Sequence, residues 1–83
     1  MIHLKFAAID IGSNAIRLLI EEAREGEENV YFKKISLTRV PIRLGEDVFS
    51  KKAISTQKQK QLVKSMMAFK HLMDVNNVEA YRA

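Results

Sequence analysis

Residues 6–20 read FAAIDIGSNAIRLLI, and the rest of the chain is interpreted around them. An apolar run reaches a single acid, Asp10. The residues Ile11-Gly12-Ser13-Asn14 then separate it from a second apolar run whose only charge is Arg17. Turn residues between two runs of strand formers predict two strands joined by a tight turn. Gly12 tolerates a positive φ, and the side chains of Ser13 and Asn14 can bond to nearby backbone. Such a turn can leave successive amide N–H groups facing one concavity, which suits phosphate oxygens. Asp10 is then placed to hold a hard cation, Mg²⁺, directly or through water. A plain hairpin with a polar turn explains the same letters, and a short pattern such as Asp-x-Gly-Ser matches by chance often. Two features weigh against the plain hairpin. The run before Asp10 is apolar enough for a buried central strand, where an unpaired carboxylate is costly. The turn is also longer than a two-residue Asn-Gly or Asp-Gly hairpin.

Working outward, Ile2, Leu4, Phe6 and Ala8 alternate with His3, Lys5 and Ala7, so strand periodicity begins at residue 2 and becomes apolar on both faces by Ala8-Ile9. The reading places strands over residues 2–10, 15–22 and 30–39, with an acidic turn over 23–29 in which Gly26 takes the positive-φ position. Pro41 cannot donate to a ladder and marks the end of the third strand. Arg39 and Arg43 are then surface cations. Val48 and Phe49 anchor the loop, and Ser50 is an N-cap candidate for a short helical turn ending at Ile54. Ser55 or Thr56 caps a long helix over 56–75, on which Leu62, Met66, Phe69 and Met73 form one apolar stripe for packing against the sheet. Asn76-Asn77 stops it, because Asn tolerates the left-handed conformation. A fourth strand over 78–83 follows. A helix between strands three and four permits parallel pairing.

The composition narrows the classes. The chain has 83 residues, enough for one small domain, and is 47% hydrophobic, which excludes a disordered tail. It has no Cys and only two scattered His, His3 and His71, so a disulfide framework and a His-based metal site are both excluded. No apolar run approaches the ~20 residues of a membrane helix. The N-terminus does not resemble a signal peptide, and the expected location is the cytoplasm. A net charge of +4 fits an anionic ligand, nucleic acid included. Acids cluster at residues 21–28 and lysines at 51–64; such runs are usually solvated faces, although the lysines could also border a polyanion track.

With these residues in view, the chain resembles the exopolyphosphatase and guanosine pentaphosphate phosphohydrolase (Ppx/GppA) family. FAAIDIGSNAIRLLI looks like the family's first phosphate-binding hairpin. Arg43-Leu44-Gly45-Glu46, the segment from Ser50 to Ile54, and Tyr81-Arg82-Ala83 extend the likeness over nearly the whole chain. The resemblance implies an α/β fold: the first half of a ribonuclease-H-like domain of the actin-like ATPase superfamily, β-β-β-α-β with an antiparallel three-strand meander and a crossover helix. It also implies a single incomplete N-terminal domain, 1–83, of a longer enzyme. In that enzyme Asp10 would carry Mg²⁺ or another divalent cation, and Gly12, Ser13 and Asn14 would hold phosphate oxygens. Arg17 and Arg43 are weaker phosphate candidates; Arg17 reads equally as a solvated or ion-paired strand residue, although guanidinium is suited to bidentate oxyanion binding.

The implied activity is release of terminal phosphate from polyphosphate or guanosine pentaphosphate by a homodimeric parent. No catalytic base is expected within these residues, since nothing positions Glu46 or Asp47, and the 83 residues alone are not expected to be active. By themselves they should expose the sheet edge and helix surface that the missing half covers. Two other classes compete. An actin-like or sugar-kinase ATP-binding enzyme would share Asp-x-Gly, but threonines are common where Ser13 and Asn14 stand. A basic nucleic-acid-binding module is disfavoured because Phe6, Phe32 and Phe69 are expected on core faces.

Overall fold

The computed structural model describes residues 4–45 and 53–83. Four strands and one long helix follow in the order β1 (Leu4–Ile11), β2 (Ile16–Glu25), β3 (Val30–Val40), α1 (Thr56–Val75) and β4 (Ala80–Arg82). They form one sheet in the spatial order β3-β2-β1-β4. β1 to β3 are an antiparallel meander, and β4 lies parallel to β1, with Phe6, Ala7 and Ala8 opposite Ala80, Tyr81 and Arg82. This is the expected α/β order, with α1 carrying the chain from one sheet edge to the other. The expectations for Glu46, Asp47, Val48, Phe49 and Ser50 fall outside the described residues.

One face of the sheet makes the core. Ala7 pairs with Ile20 and Ile9 with Leu18, and all four side chains are buried with Ile16. Phe69 and Met73 of α1 complete this cluster from the helix side, with Leu62 and Met66 partly buried against it. The spacing of four, three and four residues keeps the stripe on one side of the helix. α1 begins at Ser55, whose Oγ accepts from the Lys58 amide at 3.2 Å. It stops at Asn76, and Asn77 takes the left-handed conformation with φ 56°.

Several expectations are corrected. β2 runs on to Glu25 rather than stopping at Glu22. Glu21 and Glu22 stand opposite Lys34 and Lys33 of β3, and Ala23, Arg24 and Glu25 pair on with Phe32, Tyr31 and Val30, so the ladder continues where composition suggested a turn. Glu22 is buried and accepts a hydrogen bond from Arg24 Nε. β3 reaches Val40, and a bulge opposite Ile20/Glu21 shifts the alternation so that Ile35 packs against the core. Gly26 does not have a positive φ, and neither does any other glycine. It is required by proximity instead: a Cβ there would lie 2.9 Å from the Asn29 carbonyl oxygen, which already accepts from the Gly26 amide. Finally, Phe6 and Phe32 are not core residues. They lie on the face away from the buried cluster and are 36% and 62% exposed, while Phe69 is fully buried. Ala8 and Asp10 share that open face and are also exposed, so β1 is apolar but covered on one side only.

Candidate functional site

The residues singled out in the sequence gather at one end of the sheet. Asp10 and Ile11 close β1, Gly12 to Ala15 form the turn, and Arg17 enters β2. The turn is fastened by the Gly12 amide donating to the Ala15 carbonyl at 2.9 Å. A Cβ on Gly12 would meet that same oxygen at 3.1 Å, so glycine serves here to let two backbone segments approach. Ser13 and Asn14 project outward and are exposed. Among the described residues, no acceptor takes the amide N–H of either. Two adjacent uncommitted amides at an exposed turn can accept an oxyanion.

Around this turn stands a row of charges. Asp10 pairs in register with Arg17, and Arg17 with Arg39, which places all three on the open face across β1, β2 and β3. Because β4 runs parallel to β1, Arg82 lies toward the same end, opposite Ala8. All four are exposed. Asp10 is therefore not a buried carboxylate, and the desolvation argument against a plain hairpin does not apply to it. Arg39, read from sequence as a surface cation only, is brought beside Arg17 by the strand register. That register could not be read from the sequence, since it depends on the lengths of two turns and on a bulge.

Arg43 comes to the turn by a different route. Ile42 and Leu44 are buried, and the Gly45 amide donates to the Ser13 carbonyl at 2.9 Å. Lys58, in the first turn of α1, donates from Nζ to the Arg43 carbonyl at 2.6 Å. The segment after β3 is thus tied on one side to the turn and on the other to the start of α1. The side chain of Arg43 is exposed at this end. Asp10, Gly12, Ser13, Asn14, Arg17 and Arg43 therefore share one neighbourhood. Among the described residues, no group of three or more His, Cys, Asp or Glu could form a metal cage. A lone carboxylate suits Mg²⁺, which commonly keeps several waters and takes the rest of its shell from one or two carboxylates and substrate phosphates.

The architecture is that of the actin-like ATPase fold, seen in its first strands and crossover helix. More particularly, the chain superposes on the N-terminal part of Ppx/GppA family structures. The crystal structure of the Aquifex aeolicus Ppx/GppA family member matches with a TM-score of 0.86 at 24% identity, over 96% of this chain and 25% of that one. A second structure of the Aquifex aeolicus enzyme matches with a TM-score of 0.82 at 25% identity, again over 96% and 25%. By sequence, the chain is 35% identical over 74 residues to a bifunctional 3-dehydroquinate synthase/phosphatase of Fusobacterium nucleatum, which covers 88% of this chain and 11% of that protein. No protein-family model matches. The chain thus spans about a quarter or less of the length of these relatives. No described helix is long and apolar enough to cross a membrane.

Proposed function

We propose that these residues are the first phosphate-binding unit of a Ppx/GppA-type phosphohydrolase, one that releases terminal phosphate from polyphosphate or guanosine pentaphosphate. The single observation that carries this reading is the exposed turn at Ser13 and Asn14. Its two amides lack acceptors among the described residues, and it lies beside Asp10 on the open face. The fold likeness to Ppx/GppA structures and the sequence likeness to a synthase/phosphatase support the same direction.

In this reading Gly12 keeps the turn tight, Ser13 and Asn14 present N–H donors to phosphate oxygens, and Arg17 and Arg43 supply guanidinium groups. Asp10 would hold Mg²⁺, which when bound neutralises phosphate charge and polarises the phosphoryl oxygen. The remaining clamp and the base that positions water belong to other parts of the parent enzyme. The test is phosphate release by the full-length parent carrying Asp10→Ala, with both substrates. Loss of release on the order of a hundredfold or more is expected for removal of a charged group acting on the reacting phosphate. Undiminished release from both would end the proposal.

One observation favours a second reading. Phe6 and Phe32 are exposed on the sheet face that also carries Lys34, Arg17 and Arg39, and exposed aromatics on a basic face can stack on bases. Gel-shift binding with steep salt dependence, lost in a Phe32→Ala variant, would support a nucleic-acid contact; no shift at low salt would dismiss it.

A further inference from the structure

We propose that Lys58 is a positioning residue that sets the direction of the Asn14 amide; this rests on the phosphate-binding reading of the turn. The Ser13 carbonyl and the Asn14 N–H belong to one planar trans peptide, so they point in opposite directions. The Gly45 amide fixes the carbonyl at 2.9 Å and thereby turns the Asn14 N–H outward, away from the segment after β3. Gly45 can do this only if its own segment is held. Ile42 and Leu44 are buried, and short backbone bonds close Val40–Ile42 at 2.9 Å and Ile42–Leu44 at 3.0 Å. A further tie is Lys58 Nζ on the Arg43 carbonyl at 2.6 Å. Lys58 is itself fixed at the helix start, because its amide donates to the Ser55 cap. A rigid path therefore runs from α1 through Lys58, Arg43, Gly45 and Ser13 to the Asn14 amide. A lysine in the first helical turn is opposed by the helix dipole, which favours acids there, so its place is favoured by other contacts. The carbonyl tie is one such contact.

The test uses the full-length parent with Lys58→Met, which keeps the apolar stem and removes the donor, and Lys58→Arg, which keeps a donor. The readouts are inorganic phosphate affinity, its salt dependence, the Asn14 amide resonance and the melting temperature. Lys58→Met is expected to weaken phosphate about threefold to tenfold, the scale of one hydrogen bond. It should displace the Asn14 resonance, leave the salt dependence unchanged, and alter melting by no more than a few degrees, while Lys58→Arg restores affinity. Wild-type affinity with an unmoved Asn14 resonance in Lys58→Met would overturn the role. A reduced salt dependence would also overturn it, by making Lys58 a direct phosphate contact. If phosphate moves none of the turn amides in the wild type, the reading of the turn itself fails, and the positioning role with it.

Discussion

Gly12→Ala separates the stability of the turn from its use. Gly12 has no positive φ, so alanine carries no conformational penalty there, and the reduced freedom of the unfolded chain favours it by about 0.4–1 kcal/mol. Against this, the added Cβ would meet the Ala15 carbonyl at 3.1 Å, tighter than ordinary contact, and that carbonyl is the acceptor of the Gly12 amide at 2.9 Å. The two backbone segments must separate by a few tenths of an ångström. A shift of that size weakens one hydrogen bond, a cost of about 0.5–1.5 kcal/mol. The opposing effects are comparable, so the folding free energy should change by less than about 1 kcal/mol. The amides of Ser13 and Asn14 move with the turn. Misdirecting one hydrogen bond to a charged phosphate costs about 1.5–3 kcal/mol, or roughly 10- to 150-fold in kcat/KM. The assay pairs urea unfolding of the full-length parent with steady-state phosphate release. Unchanged stability with full activity would refute the argument, because the turn could then relax without consequence for catalysis. A loss of stability of about 3 kcal/mol or more would refute the steric estimate instead.

Other outcomes follow from the packing. Phe69→Ala should cost about 3–5 kcal/mol in urea unfolding, since the ring is fully buried between α1 and the sheet. Met67→Ala, two positions away and 57% exposed, should cost less than about 0.5 kcal/mol in the same measurement. Ser55→Ala removes the acceptor for the Lys58 amide and should lower stability by about 1 kcal/mol, read by the same unfolding curve.

Much of the architecture was legible because side-chain periodicity carries it. The four-three-four spacing of Leu62, Met66, Phe69 and Met73 identifies the packed face of α1, and Asn77 supplies the left-handed stop that its side chain allows. What could not be read depended on partners distant in sequence. Ala23, Arg24 and Glu25 looked like turn residues until Phe32, Tyr31 and Val30 were placed opposite them. Phe6 and Phe32 have the composition of core residues, yet the open face is theirs because the alternation of β1 and the bulge in β3 decide the side. The candidate site divides in the same way. Asp10, Gly12, Ser13 and Asn14 are contiguous and could be proposed from the sequence. Arg39 joins them through strand register, Gly45 through a backbone hydrogen bond that almost any residue could make, and Lys58 through a side-chain bond to a carbonyl fifteen residues away in sequence.

The most direct measurement is a crystal structure of the full-length parent soaked with a phosphate-mimicking oxyanion and Mn²⁺ as an anomalous stand-in for Mg²⁺. The account predicts the anion within hydrogen-bonding distance of the Ser13 and Asn14 amides, with an anomalous peak coordinated, directly or through one water, by Asp10. An anion and metal bound together at another place, with the turn at Gly12 to Asn14 left untouched, would contradict it.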